Sequence, residues 1–380
     1  MATQEEIDLR LREQMREQLE LRGVQMQPPE ETKLEVEMPD RERLLGFLRR
    51  RLPSARALVL SELTLIGYGT SREHYAFDLA WESDEAVQGL PLILMRDAEF
   101  PPLPIDRRRE FRLLKRLERT PVPAPRALWC DAAGRWLRRP FLIMERLSGS
   151  VTPSFCPAYP DDPDLRRQLA DGFIDVLVML HCLDWRKLGL GFMGVPECSV
   201  ADYASYRVSE AQAMMAEAEV LTPAAHPVVA RALAWCKKRA PVTQALVLCH
   251  GDYKTDNVMY EGGRIVAIID WELARIGDPI EELSYVCLPF LSNAGLAVGM
   301  VDRDHLLERY QREAGFRAGE GDMFFWEVLH NVQFVYYFSV LIEVARRRGT
   351  DPSLRAVPSL ESLISYLLGV IEGQLAQPVP

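Results

Sequence analysis

Two textures alternate along the chain. From residue 58 to about 145, apolar residues come in short runs or at every second position; beyond Gly149 they recur at helical spacing over long stretches. In the first region LVLSELTLI predicts a strand, YAFDLAW sets Tyr75, Phe77, Leu79 and Trp81 on one face, and LPLILM predicts a third strand. Residues 106–119 predict a helix with Phe111, Leu114 and Leu117 on one side, and RALWC and PFLIM predict two more strands. These elements make an antiparallel sheet with one inserted helix. The second region predicts helices over 168–183, about 202–218, 226–239, 281–295, 303–314 and 322–348, and a last one in SLESLISYLLGVIEGQL. One β-hairpin interrupts them, VMY and IVAIID, with Gly262-Gly263 at the turn. Near the start, Ile7, Leu11, Met15 and Leu19 mark an imperfect apolar stripe, which predicts an amphipathic helix over 5–22 that stops at Gly23. QPPEETKLEVEMP reads as a linker, and Asp40 as the cap of a helix carrying Leu44, Leu45, Leu48 and Leu52. The expected fold class is α+β, divided into an extension and linker (1–39), a sheet-rich lobe (40–147) and a helical lobe (148–380).

Bulk composition narrows the function classes. A net charge of −10 argues against general nucleic-acid affinity, which needs a basic surface. It leaves room for an anionic ligand in a local basic pocket. The seven cysteines are odd in number and form no CxxC pair, as expected of reduced thiols in a reducing compartment. The first residues lack an apolar core, and the apolar stretch from Phe334 to Ala345 is too short to span a bilayer and contains Glu343. A cytoplasmic protein without membrane or nucleic-acid partners, monomeric or homodimeric, is the expectation. Lysine occurs only at 33, 115, 187, 237, 238 and 254, so arginine supplies nearly all the positive charge.

Chemistry concentrates in one polar loop between apolar runs, CHGDYKTDN, residues 249–257. Asn257 immediately precedes the first strand of the hairpin, and Asp270 ends the second. Antiparallel pairing brings those two ends together, with Asp252 on the incoming loop. Two carboxylates and an amide at one sheet end suit a hard divalent cation such as Mg²⁺. Asx residues also make ordinary turn hydrogen bonds. Here, however, His250 precedes Asp252 by two residues, Lys254 follows it by two, and Asp270 returns after one hairpin.

His250-Gly251-Asp252-x-Lys254-x-x-Asn257, followed by Ile268-Ile269-Asp270-Trp271-Glu272, resembles the aminoglycoside phosphotransferase and choline-kinase-like family. This is the small-molecule branch of the bilobal protein-kinase fold, and its DWELARIGDP and MLHCLDW stretches are similar to kinase domains linked to acyl-CoA dehydrogenases. The resemblance implies ATP and Mg²⁺ as cofactors. Asp252 would orient the substrate hydroxyl and accept its proton, Lys254 would face the γ-phosphate, and Asn257 and Asp270 would hold the metal. His250 and His181 would be structural, and Asp256 would stand outside the reaction. Ile66 to Glu73, IGYGTSRE, resembles a phosphate-covering loop through Gly67, Gly69 and Ser71. Arg96 would meet the α- and β-phosphates, with Glu110 as its partner; a one-residue change of register would put Met95 there instead. The stretch around Glu145 and Leu147 resembles the hinge that bonds adenine through its backbone.

The expected activity is transfer of the γ-phosphate of ATP to a hydroxyl of a small molecule, either a metabolite or a hydroxy-acyl compound. Two alternatives stand beside it. One is an aminoglycoside phosphotransferase, whose acidic cleft would draw on Glu272, Glu281, Glu282 and the acids near 320–322. The other is a nucleotide-binding pseudokinase. Asp278-Pro279-x-Glu281 reads as a helix start with Asp278 as its cap.

Overall fold

The structure is a computed structural model that describes residues 39–378, apart from 69–70, 83–85, 100, 103–105, 152–161, 219–220, 222–224, 293–295 and 349–356. The helix expected over 5–22 and its linker lie outside the described residues. The chain forms two compact units, and the fold is α+β. Of the described residues, the smaller unit takes those up to Ser148 together with Ala267–Glu272; the larger takes Gly149–Val266 and those from Leu273 onward.

The smaller unit opens with α1 (Arg41–Arg51), whose N-cap Asp40 accepts the Arg43 N–H at 3.0 Å. Strands β1 (Arg56–Leu60), β2 (Thr64–Tyr68), β3 (Arg72–Glu82) and β4 (Val87–Asp97) follow, then α2 (Arg107–Leu117), β5 (Ala127–Asp131) and β6 (Phe141–Glu145). The sheet order is β1-β3-β4-β6-β5, with β2 also on β3. The single strand expected from LVLSELTLI is broken in two: β1 pairs with β3 near Leu79–Glu82 and β2 pairs near Glu73–Ala76. Ser61 sits at the break, donating its N–H to Asp78 O and accepting the Asp78 N–H on its hydroxyl, both at 2.9 Å.

Strand parity sorts the sheet into two faces. Tyr75, Phe77, Leu79, Leu92, Leu94, Phe141 and Ile143 share a core with Leu44, Phe47 and Leu48 of α1. Phe47 meets Phe141 edge-on at 5.0 Å and Trp136 at 5.9 Å. An unbroken ladder runs from Arg72↔Asp97 to Glu82↔Val87, so Glu73 lies opposite Arg96 and His74 opposite Met95.

The larger unit contains α3 (Pro163–His181), α4 (Tyr203–Ala218), α5 (Ala225–Arg239), β7 (Val247–Cys249), β8 (Val258–Glu261), β9 (Arg264–Ile268), β10 (Arg275–Gly277), α6 (Pro279–Val286), β11 (Leu296–Ala297), β12 (Val301–Asp302), α7 (Arg303–Ala314), α8 (Glu320–Arg348) and α9 (Val357–Ala376). The last residues of β9 continue into the segment that belongs to the smaller unit. β8 and β9 form the expected hairpin, and both Gly262 and Gly263 have positive φ, 55° and 81°. β7 pairs with β10, Cys249 opposite Arg275.

Two expectations are corrected here. The helix expected over 281–295 is only eight residues long, because the ring of Pro289 and its missing N–H disfavour continuation. Around Phe334 to Ala345, α8 is long and apolar enough to cross a bilayer by length and composition. Its apolar window is 56% buried, with α8 packed against α5, α6 and α9. Replacing Phe47 by alanine removes the ring that joins α1 to the sheet. It should cost about 3–5 kcal/mol, read as a lower denaturation midpoint of the smaller unit.

Candidate active site

In the larger unit the chain leaves β7 and turns sharply into the polar loop. Gly251 makes that turn at φ +86°, and a Cβ there would lie 2.3 Å from Leu273 O. The loop is fastened by Glu282 of α6, whose carboxylate accepts the N–H of His250 at 3.0 Å and of Gly251 at 2.5 Å. His181 at the end of α3 meets the same carboxylate at 2.9 Å through Nε2 and the Tyr310 hydroxyl at 2.5 Å through Nδ1. Burial would raise the Glu282 pKa; His181, His250 and the Gly251 amide outweigh it and hold the pKa below the ordinary value. Tyr253, fully buried, donates its hydroxyl to Phe173 O at 2.8 Å. α6 begins as expected, with Asp278 accepting the Ile280 N–H at 2.7 Å.

On this frame Asp252, Lys254 and Asn257 come together. Lys254 Nζ stands 3.0 Å from Asp252 Oδ1, and the Tyr285 hydroxyl donates to the same oxygen. Asn257 Nδ2 donates to Asp252 Oδ2 at 2.8 Å and to its carbonyl at 2.9 Å. Burial pushes the Asp252 pKa up, but the Lys254 ammonium and the Tyr285 hydroxyl prevail, and the carboxyl titrates below its usual range. The Lys254 pKa is raised: burial opposes the charge, and Tyr285 and Asp252 overcome it. The pair is therefore charged at neutral pH. His250, fully buried, accepts the Asp252 N–H on Nδ1 at 3.3 Å and so braces the loop. The Tyr285 ring is held edge-on by His330 and stacks on Phe334 at 6.0 Å.

In the smaller unit a second charged cluster forms. Arg72, the first residue of β3, meets Glu110 Oε1 at 3.2 Å, Asp270 Oδ1 at 2.9 Å and the Glu272 carboxylate. Arg107 meets Glu110 Oε2 at 2.5 Å and also pairs with Asp97. Asp270 adopts φ +67°, a region that Asp tolerates better than most residues and that often marks functional positions. Trp271 is buried, with its indole N–H on Ile268 O at 2.8 Å, which fixes the turn carrying Asp270 and Glu272.

This cluster corrects the expected partnership of Arg96 with Glu110. Parity puts Arg96 on the same face as Leu92 and Leu94, opposite Glu73, which it meets at 2.7 Å. Met95 is on the other face, its sulfur 3.3 Å from Arg72 Nη1. The run LPLILM is apolar at every position, so its alternation could not reveal which side faced α2. Glu110 is buried between two arginines rather than an exposed helix charge.

The remaining sites fall as follows. Gly67 lies in β2 opposite His74, and Gly69 lies outside the described residues. Ser71 donates its hydroxyl to Glu272 Oε1 at 3.1 Å. Glu145 commits its N–H to Arg126 O at 3.0 Å. Among the described residues the backbone of Leu147 bonds no other backbone group. Three of the acids expected to line a cationic cleft are paired within the protein instead. Glu281 is fully buried against Arg207, Arg275 and Tyr203, Glu282 holds the loop, and Glu272 pairs with Arg72. Sequence reasoning missed Arg72, Tyr285 and the role of Glu282. Arg72 stands inside the quoted SRE triplet, whereas nothing local marked Tyr285.

The family model described as "Phosphotransferase enzyme family" matches residues 62–325. Acyl-CoA dehydrogenase family member 10 of Mus musculus is 28% identical over 201 residues, 52% of this chain and 18% of that protein. Acyl-CoA dehydrogenase family member 11 of Rattus norvegicus is 28% identical over 189 residues, 47% of this chain and 22% of that protein. The matched region is about a fifth of either relative's length. Among solved structures, a Ralstonia eutropha protein provisionally described as an aminoglycoside phosphotransferase aligns with TM-score 0.65 and 21% identity, over 89% of this chain and 98% of its own. The aminoglycoside phosphotransferase APH(4)-Ia, in a ternary complex with ADP and hygromycin B, aligns with TM-score 0.56 and 15% identity, over 85% and 97%. At these identities the likeness is one of fold.

Gly251→Ala should destabilise the larger unit by more than about 1 kcal/mol, visible as a lower melting temperature. A second expectation concerns pH. Burial works against ionised Glu281, but Arg207 and Arg275 win and lower its pKa to about 2. A carboxyl depressed in the folded state contributes stability above its unfolded pKa and loses it as pH falls. Relative to Glu281→Gln, the protein should therefore hold an advantage of about 3 kcal/mol above pH ~5 that disappears towards pH ~2. Denaturant titrations across that range measure it.

Proposed function

The chain belongs to the phosphotransferase enzyme family, and from that premise we propose that it moves the γ-phosphate of ATP to a hydroxyl of a small molecule, a metabolite or a hydroxy-acyl compound. The observation that carries this reading is the Asp252 carboxylate, ionised although half-buried, with a lysine, a phenol and an amide fixed around it. Such a group can align an acceptor hydroxyl and take its proton as that oxygen bonds to phosphorus and ADP leaves. Lys254, charged beside it, neutralises the negative charge of the transferring group. ATP as co-substrate is supported by the nucleotide complexes of structural neighbours, with ADP in one and AMP-PNP in another.

The donor set also fits Mg²⁺. Asn257 commits its amide N–H groups to Asp252 and so presents its oxygen as an acceptor, and Asp270 adds a carboxylate. Each of these residues offers an oxygen of the kind Mg²⁺ binds. When bound, the ion would neutralise phosphate charge and fix the phosphates' orientation.

A hydroxy-acyl acceptor is favoured over a polycationic one by the surroundings of Asp252. Tyr285 stacks on Phe334, and Phe334 packs in turn against Phe290 and Phe338, an apolar succession that begins at the base. Glu272, Glu281 and Glu282, three of the acids that would attract an aminoglycoside, are paired inside the protein. The names of the matched relatives, acyl-CoA dehydrogenase family members, point the same way. A cytoplasmic setting is part of the proposal; Cys130, Cys182, Cys198, Cys236, Cys249 and Cys287 are free thiols.

Asp252→Asn should reduce phosphoryl transfer by at least about a hundredfold and leave AMP-PNP affinity intact. The assay is ADP release over a panel of hydroxy-acyl compounds, other hydroxyl metabolites and aminoglycosides. Normal turnover by that variant would exclude Asp252 as the base. Turnover confined to the aminoglycosides would overturn the acceptor assignment. Asp270→Ala should weaken nucleotide binding only when Mg²⁺ is present, as read by calorimetry.

A further inference from the structure

The guanidinium of Arg72 is gripped on all its nitrogens. Nε donates to Glu272 Oε2 at 3.1 Å, Nη1 to Glu110 Oε1 at 3.2 Å, and Nη2 to Glu272 while lying 2.9 Å from Asp270 Oδ1. Glu272 is tied as well to the hydroxyl of Ser71, the residue before Arg72, at 3.1 Å. Its carboxylate thus joins the start of β3, just after the glycine-bearing stretch, to the turn that carries Asp270. Arg107 reaches Glu272 at 3.5 Å and otherwise pairs with Glu110 and Asp97; both arginines are buried, and Arg72 is the one that lies against Asp270.

We infer that Arg72 is the cation of the smaller unit that meets the nucleotide's phosphates, and that Glu272 is the positioning residue that aims it. The inference rests on the proposed function and assigns residues which that reading leaves open. Arg96 is on the opposite face of the sheet with Glu73 and Tyr75, and no lysine occurs between Lys33 and Lys115. Arg72 lies beside Asp270, so phosphate brought to Asp270 arrives at the Nη2 edge. Nη1 is anchored on the buried Glu110, leaving Nη2 as the edge that can exchange a carboxylate for a phosphate oxygen. Arginine can do this without losing its charge, and its planar fork keeps the other contacts in register. Glu272 sets the plane of that fork through Nε and Nη2 together. Its own position is set by the burial of Trp271.

The test needs no acceptor. Calorimetry with Mg²⁺ and AMP-PNP, and separately with adenosine, compares the wild-type chain with Glu272→Gln, Arg72→Lys and Arg96→Lys. Glu272→Gln and Arg72→Lys should each weaken AMP-PNP by about tenfold and change adenosine by less than about twofold; Arg96→Lys should match wild type for both. Thermal melts check folding. If Arg72→Lys does not fold, Glu272→Gln carries the test, since its side chain keeps size and shape. Wild-type AMP-PNP affinity in the folded variants overturns the inference alone, as does an equal loss for adenosine. A wild-type chain that binds no adenine nucleotide overturns the functional reading and the inference with it.

Discussion

A carboxylate can be buried as an ion only if donors occupy its oxygens, and this requirement organises the larger unit around Glu282. Its two oxygens take the backbone N–H groups of His250 and Gly251, with His181 behind them and Tyr310 behind His181. The loop that carries Asp252 therefore has its backbone fixed by a side chain from α6 before any ligand is present. Tyr285, three residues further along the same helix, then reaches Asp252 itself. One short helix, capped by Asp278, thus both shapes the loop and sets the state of its carboxylate.

The same constraint recurs on neighbouring groups with different outcomes. Glu281 is balanced by two arginines and a tyrosine, which makes it a structural ion. Asp252 is balanced by a lysine of its own loop and by an amide. In the smaller unit two arginines, Arg72 and Arg107, share four carboxylates, Asp97, Glu110, Asp270 and Glu272. That excess of negative charge attracts a cation. Membership of a phosphotransferase family and this distribution of charge lead to one reading of the chemistry.

Much of this was legible along the chain. The two textures separated sheet from helices, the Gly-Gly hairpin was placed, and Asp278 was read as a cap. These are local properties: alternation, helical period, turn chemistry and capping act within a few residues. Asp252, Lys254 and Asn257 were found together because they occupy one loop. The break at Ser61 and the short α6 were not legible, because pairing with β3 decides the first and a proline beyond the last helical turn weighs on the second.

The pairing of charges belonged to tertiary structure. Arg72 and Arg96 look equivalent in sequence, each an arginine at the end of a strand. A one-residue difference in parity sends one to Glu110 and the other to Glu73. Tyr285 and Glu282 reach the loop from more than thirty residues away, across a helix whose facing only packing sets. The sequence by itself determined which groups could do the chemistry, since residue type and local spacing are written in it. Which of those groups became partners, and which became ions, was decided only when strands took their register and burial demanded a counter-charge for each one.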